Sequence, residues 1–145
     1  MREEEVAKRV GEYLKEAYEL VSNEFAFSGG RVDLIGFRWE KGDDPHYIHA
    51  LGVECKGEIK YAKQVYGLLT DQLARYLKTI PQLYLATPRP KGENATNVLS
   101  EIKMLCRLNH IGYLYVDHDV EPDPPIDDRT AMHTMHMIRV TSTRT

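Results

Sequence analysis

Apolar and polar residues divide the first half of the chain into one helix and three strands. Between residues 3 and 21 the apolar positions recur at helical spacing and form one stripe: Val6, Val10, Tyr13, Leu14, Ala17 and Val21. This spacing predicts a helix over 3–21. Strand-like runs follow at 23–30, 31–39 and 47–56, with a glycine turn after the first run and an Asp- and Pro-rich turn after the second.

The second half alternates helical patterns with short apolar strands. Helices are predicted at 62–80, before Pro81, and at 98–109, with Asn94, Thr96 or Asn97 as N-cap. Strands are predicted at 82–87 and 111–116, a loop at 121–128, and a final edge strand at 132–140. The order α-β-β-β-α-β-α-β predicts an α/β fold, in which a mixed sheet that starts as a meander is flanked by helices.

Three charged residues interrupt the strands that otherwise look buried. Asp33 lies within "GGRVDLIGF", and Glu54 and Lys56 surround Cys55 in "LGVECKGEIK". Because side chains alternate along a strand, Glu54 and Lys56 share one face and Cys55 points to the other. If the two strands pair, Asp33 lies beside Glu54, and two adjacent carboxylates need a neutralising partner.

A divalent cation is the usual partner of such a pair, since carboxylate oxygens suit Mg²⁺ or Mn²⁺. Asp33, Glu54 and the backbone carbonyl of Cys55 are the expected ligands. With Lys56 at the rim, the arrangement fits phosphodiester hydrolysis, in which the metal activates water and the lysine orients it or stabilises charge on the phosphate.

The charge distribution agrees with a polyanionic substrate but does not require one. The net charge is −3, which argues against binding nucleic acid by bulk charge. However, seven basic residues and two acids lie between Lys56 and Lys91, and six acids lie between Asp117 and Asp128. Lys60 and Arg75 in the basic part are candidate substrate-binding residues. A solvated surface with no partner explains the same distribution equally well.

The motifs "GGRVDL", "VECKG" and "QLARY" resemble those of the PD-(D/E)XK nuclease superfamily, with Val32 in place of the proline. The last one is similar to the QhxxY motif of RecB-like nucleases. The resemblance implies a restriction-endonuclease-like fold, catalytic roles for Asp33, Glu54, Lys56 and Gln72, and substrate binding by Tyr76. It also implies an acid from the first helix, for which Glu3 is favoured and Glu5 is the alternative.

The resemblance places the nuclease-like core at 1–116. Residues 117–145 then form an acidic, proline-rich linker and a C-terminal strand or tail of the same domain. The expected protein is a cytoplasmic DNA nuclease for repair, recombination or defence, with no membrane contact. It would act as a homodimer or with a partner subunit.

Several alternatives remain open at this point. The same fold could bind nucleic acid without cutting it, or serve as an accessory subunit. Alternatively, Asp33 could cap a turn while Glu54 and Lys56 form an exposed ion pair, in a structural protein that binds no metal.

Overall fold

The computed structural model describes residues 1–39, 47–123 and 137–139. The fold is of the α/β class. Its elements are α1 (Glu3–Lys15), β1 (Leu20–Phe27), β2 (Gly30–Trp39), β3 (Tyr47–Cys55), a helical segment at 62–76 that ends in α2 (Leu73–Tyr76), β4 (Leu83–Pro88), α3 (Ala95–Leu108), β5 (Gly112–Val116), β6 (Val120–Asp123) and β7 (Met137–Arg139). The predicted order of elements is confirmed as far as β5, and β6 and β7 follow it.

The seven strands of the described residues belong to one mixed sheet, in which six follow the order β1-β2-β3-β4-β5-β6. The first three form the expected antiparallel meander, and β3, β4 and β5 run parallel. β6 turns back antiparallel to β5. The predicted C-terminal strand is confirmed at Met137–Arg139, where it pairs with the first part of β3; the other residues of that prediction lie outside the described ones.

Helices cover both faces of the sheet and bury a separate hydrophobic cluster on each. On one face Val6, Val10 and Leu14 of α1 pack on strand residues that include Leu34, Val53 and Leu114. On the other face the helical segment and α3 pack together on Ile35, Leu85 and Tyr113. Cys55 and Cys106 are both buried in the core. In the part of the chain that the structure describes, no helix has the length and apolar character to span a membrane.

The predicted first helix is too long, because its apolar stripe runs on into a strand. α1 ends at Lys15, Ala17 is exposed, and Val21 lies in β1 opposite Gly36. Val21 still packs on the α1 side of the sheet. The six apolar positions of the stripe fit a fifth helical turn and an extended strand on the same core equally well. The predicted end of the helix was therefore wrong, although the predicted buried face of the helix was right.

The helix predicted at 62–80 is shorter and less regular than expected. It begins with a 3₁₀ turn at Ala62–Val65, widens into a π-helical turn at Leu68–Gln72, and ends with α2. Ile80 lies beyond the helix, because the chain must already turn back to enter β4. α3 begins earlier than predicted, with Asn94 at the N-cap position.

The loop predicted at 121–128 is wrong over its first residues, which form most of β6. Glu121, Pro122 and Asp123 pair with Tyr115, Leu114 and Tyr113. A proline is compatible with a strand only where its missing N–H is not needed, and β6 satisfies this condition because it is an edge strand. An ion pair between Asp123 and Arg107 of α3 fixes the end of the strand.

Candidate active site

The site forms where β2 and β3 separate. Their backbone ladder ends with the pair Leu34 and Val53, so Asp33 and Glu54 are the first residues beyond it. Side chains replace the missing ladder bonds. The Cys55 amide donates to Asp33 Oδ2 at 2.7 Å, and the Asp33 amide donates to Glu54 Oε1 at 3.4 Å. The structure therefore brings these two carboxylates together at the point where the sheet opens.

A local rotation of β2 turns Asp33 toward this opening. Val32 belongs to the core under the helical segment, whereas Leu34 belongs to the core under α1. Residues two apart in a regular strand share a face, so the strand must rotate at Asp33. Glu24, which lies opposite in β1, has a left-handed backbone with φ of 49°. Both strands are thus irregular at the level of the site.

Gln72 connects the helical segment to the carboxylate pair. Its amide nitrogen Nε2 donates to Glu54 Oε2 at 3.0 Å and to the Tyr76 hydroxyl at 3.1 Å. Gln72 is the last residue of the π-helical turn, and Tyr76 ends α2 one turn later. π-helical turns are frequent at functional sites because they redirect side chains that a regular α-helix would point elsewhere.

Tyr76 is buried and acts on the site through Gln72. Only 6% of Tyr76 is exposed. Its ring meets the Phe27 ring edge-on at 4.9 Å, and an added Cβ on Gly30 would lie 2.8 Å from it. The Tyr76 ring is therefore packed against the turn between β1 and β2. Its expected role in substrate binding stays a prediction, while the contact in the structure is with Gln72.

Burial and charge both disfavour the ionised form of Glu54. Burial, with 6% of the residue exposed, is the main cause that raises the pKa of Glu54 from 4.5 to about 7, and the Asp33 carboxylate is the second. The Asp33 amide, Lys56 and Gln72 act against this shift. In the absence of another cation, the carboxylate pair is left with incomplete charge compensation.

A cleft of about 590 Å³ between α1 and the sheet contains Glu3, Asp33 and Cys55 among its lining residues. Glu3 also contributes to the raised pKa of the Cys55 thiol, so its charge acts at this position. Glu5 instead pairs with Arg9 at 3.0 Å and lines a different cleft. Of the two glutamates considered for the site, the structure places Glu3 next to it.

A second cleft of about 480 Å³ lies on the other side of the end of β3. Lys56, Gln72 and Arg75 line it. Lys56 is half-buried, and its charge lowers the pKa of Glu54, as expected for a neighbour on the same strand face. Arg75 is exposed and pairs with Asp71 at 3.4 Å. Lys60 is exposed and lies outside the lining of this cleft.

Gln64 is a residue of this cleft that the sequence interpretation missed. Its Oε1 accepts hydrogen bonds from the Lys60 amide at 2.7 Å and the Tyr61 amide at 2.8 Å. These bonds hold the loop that leaves the site after Lys56. A glutamine three residues after the start of a helical turn is the signal of a capping box, and it could have identified Gln64.

The donor set fits a hard divalent cation in part. Asp33 and Glu54 offer carboxylate oxygens with spare lone pairs, and the Cys55 carbonyl points to the same strand edge as the amide that Asp33 binds. Burial raises the pKa of the Cys55 thiol, so the sulfur stays protonated. Among the described residues, no group of three or more His, Cys, Asp or Glu side chains could hold a metal ion.

None of the known family models, curated proteins or solved structures matches this chain. The arrangement of Asp33, Glu54, Lys56 and Gln72 is therefore the basis on which a function can be proposed.

Proposed function

We propose that this protein is a metal-dependent nuclease of the PD-(D/E)XK type that hydrolyses phosphodiester bonds of DNA. The observation that supports it best is the pairing of Asp33 with Glu54 at the separation of β2 and β3, with Gln72 bonded to Glu54. Glu54 of this pair is buried and has a raised pKa, so its ionised form is poorly compensated in a protein without a cation at this place. A bound cation would supply the missing charge compensation.

The side chains divide the work as follows. Asp33, Glu54 and the Cys55 carbonyl would hold Mg²⁺ or Mn²⁺, which supplies Lewis acidity toward the phosphate and the attacking water. Gln72 fixes the orientation of Glu54, and Tyr76 fixes Gln72. Lys56 follows Glu54 on the same strand face and lines the neighbouring cleft, where its ammonium stabilises negative charge on the phosphate.

The two clefts, which lie on either side of the end of β3, also suit a single strand of nucleic acid. Glu3 of α1 lines one cleft together with Asp33. Lys56 on the other side places a positive charge where the phosphate backbone would approach, and Arg75 lines the same cleft in an ion pair with Asp71. The proposal thus assigns the metal to the cleft that Glu3 and Asp33 line and the substrate to the cleft that Lys56 lines.

The test is cleavage of labelled single-stranded, duplex and branched DNA in Mg²⁺, Mn²⁺ or EDTA. Glu54→Gln and Lys56→Gln run alongside two charge-matched controls, Glu101→Gln on α3 and Lys78→Gln after α2, which are both exposed. We expect cleavage that needs the metal and falls by at least about 100-fold in the two site variants. The controls should cut at the rate of the wild type.

The outcomes separate the proposal from its alternatives. Binding of DNA without cleavage under every metal condition would favour a non-cleaving or accessory role. Cleavage that persists in Glu54→Gln and Lys56→Gln would place the active site elsewhere. Absence of both metal binding and DNA binding would leave the fold without this function.

A further inference from the structure

Two cations from different elements meet over one aromatic ring at the same sheet edge as the candidate active site. The Arg89 guanidinium carbon lies 5.3 Å from the centre of the Tyr115 ring, and the Lys103 ammonium lies 4.8 Å from it. Their charged groups are therefore no farther apart than the sum of these distances, about 10 Å. Arg89 follows β4 directly, and Lys103 belongs to α3.

The register of the sheet places this cluster in line with Lys56. Cys55 pairs with Ala86, and the Lys56 amide donates to the Ala86 carbonyl at 2.8 Å, so Lys56 and Thr87 are neighbours across the two strands. Thr87 in turn pairs with Tyr115. Adjacent strands lie about 4.8 Å apart, so Lys56 and Tyr115 are separated by about 10 Å along one row.

The cluster also lies on the same face of the sheet as Lys56. Glu54 pairs with Leu85, which belongs to the core beneath the helical segment, and Tyr115 packs against that core. Since alternate residues share a face, Lys56, Thr87 and Tyr115 follow on it. The Thr87 hydroxyl is within 2.6 Å of the Tyr113 hydroxyl in the same core, which agrees with this orientation.

The two cations have no carboxylate partner among the described residues. Three other arginines of the described surface, Arg9, Arg75 and Arg107, are neutralised by Glu5, Asp71 and Asp123. Arg89 is exposed and Lys103 half-buried, and the structure holds both by the Tyr115 ring. The ring offsets part of their repulsion, and the remaining positive potential suits an anion.

We propose that Arg89 and Lys103 together bind a backbone phosphate of the nucleic-acid strand that is cut beside Lys56. The inference rests on the proposed function for the identity of the ligand. Consecutive phosphates of one strand are at least the axial rise of about 3.4 Å apart, so a separation of about 10 Å places the bound phosphate within about three nucleotides of the cut. Tyr115 is a positioning residue, because both cations lie against its ring.

The test measures binding rather than cleavage, in EDTA, with fluorescently labelled single-stranded and duplex oligonucleotides over a range of salt concentrations. Arg89→Gln and Lys103→Gln are compared with Lys78→Gln, which removes the same charge near the opposite end of the sheet, before β4. Each neutralised phosphate contributes about 0.7 for a single strand, or about 0.9 for a duplex, to the slope of log K against log salt.

We expect Arg89→Gln and Lys103→Gln each to weaken binding several-fold. In the double variant, the slope of log K against log salt should fall by about the contribution of one neutralised phosphate. Lys78→Gln should keep the wild-type slope. Tyr115→Phe should bind like the wild type because it keeps the ring, whereas Tyr115→Leu should behave like the double variant. A purely structural role would lower the melting temperature without changing the salt slope.

The possible failures are distinguishable. Unchanged slopes in both site variants would overturn the inference and leave the nuclease proposal intact. Binding that depends on Arg89 and Lys103, in a wild type that cuts nothing with Mg²⁺ or Mn²⁺, would support the inference and contradict the catalytic proposal. No binding of either oligonucleotide by the wild type would overturn the inference as well.

Discussion

At the scale of single residues, Asp33 has both a structural and a chemical role. Its side chain accepts a hydrogen bond from the Cys55 amide, which has no partner in the strand ladder, and its own amide donates a hydrogen bond to Glu54. Buried amides need such partners, because an unsatisfied one costs about 1–3 kcal/mol. The same contacts hold the two carboxylates together despite their repulsion, so stability and the candidate chemistry depend on the same atoms.

Gln72 provides a test of positioning at this scale. Gln72→Ala removes the donor to Glu54 Oε2, and we expect roughly a 10- to 100-fold loss of metal affinity or activity, as is typical for partners of metal ligands. Tyr76→Phe removes only the hydroxyl that accepts from Gln72, and it should have a smaller effect. Metal titration and cleavage rates of both variants check this, and equal losses would contradict the order of contacts.

Glu54 should make the stability of the metal-free protein depend on pH. Its pKa is about 7 in the folded protein against 4.5 as the ordinary value, so the folded state binds the proton more tightly. The contribution of Glu54 to the free energy of unfolding is then fully present below pH 4.5. It is lost as the pH rises through 7, and the loss amounts to roughly 3 kcal/mol.

Urea unfolding of the wild type and Glu54→Gln at pH values from 4 to 8, in EDTA, measures this dependence, with ~1–3 kcal/mol per molar as the usual slope. The glutamine cannot ionise, so the difference in unfolding free energy between the two proteins should change over this range. A constant difference would show that Glu54 titrates normally.

At the scale of elements, the turn between β1 and β2 determines where the helical segment sits. Gly30 has a φ of 148°, and Tyr76 occupies the space where its side chain would be. Phe27 closes the other side of the ring. The strands that present Asp33 thus also hold Tyr76, which holds Gln72 over Glu54.

Two glycines of these elements should respond oppositely to alanine. Gly30→Ala meets both the Tyr76 ring and an unfavourable backbone, and it should destabilise the protein by about 1–3 kcal/mol. Gly67, at the start of the π-helical turn, has a helical backbone and no atom within 4 Å of an added Cβ. Gly67→Ala should be neutral or stabilise by up to about 1 kcal/mol. Thermal unfolding of both variants checks the contrast, and equal melting temperatures would refute it.

At the scale of the whole molecule, a sheet covered on both faces brings residues from distant elements to one edge. α1 supplies Glu3, β2 Asp33, β3 Glu54 and Lys56, and the helical segment Gln72. The parallel strands β3, β4 and β5 end at this edge, where ligands of open α/β sheets usually bind. The site is therefore complete only when both core clusters have formed.

Metal should stabilise the whole fold, and more so at higher pH. Because metal and proton compete for Glu54, Mg²⁺ should raise the melting temperature clearly above pH 7 and only weakly near pH 5. A metal concentration a hundredfold above Kd corresponds to about 2.7 kcal/mol.

The Asp33→Asn/Glu54→Gln double variant, which keeps the shape of both side chains, is the control for this effect. It should show no such stabilisation at either pH. Equal stabilisation of the wild type and the variant would place the metal outside the candidate site.

The sequence alone predicted the class of the fold and most of its elements, because periodicity is a local property. Alternating side chains identified Glu54 and Lys56 as neighbours, and the helical spacing of Val6, Val10 and Leu14 identified the buried face of α1. The placement of Asp33 beside Glu54 was also predictable, since it needed only the pairing of two consecutive strands.

Only the tertiary structure decided the features that depend on distant parts of the chain. The end of α1, the strand at Pro122, the burial of Tyr76 and the meeting of Arg89 with Lys103 each depend on a partner that local sequence does not show. A residue's neighbours along the chain fix which way its side chain points. The groups that the side chain contacts depend on how the elements pack, and this packing brings charged residues from different elements together in the candidate site.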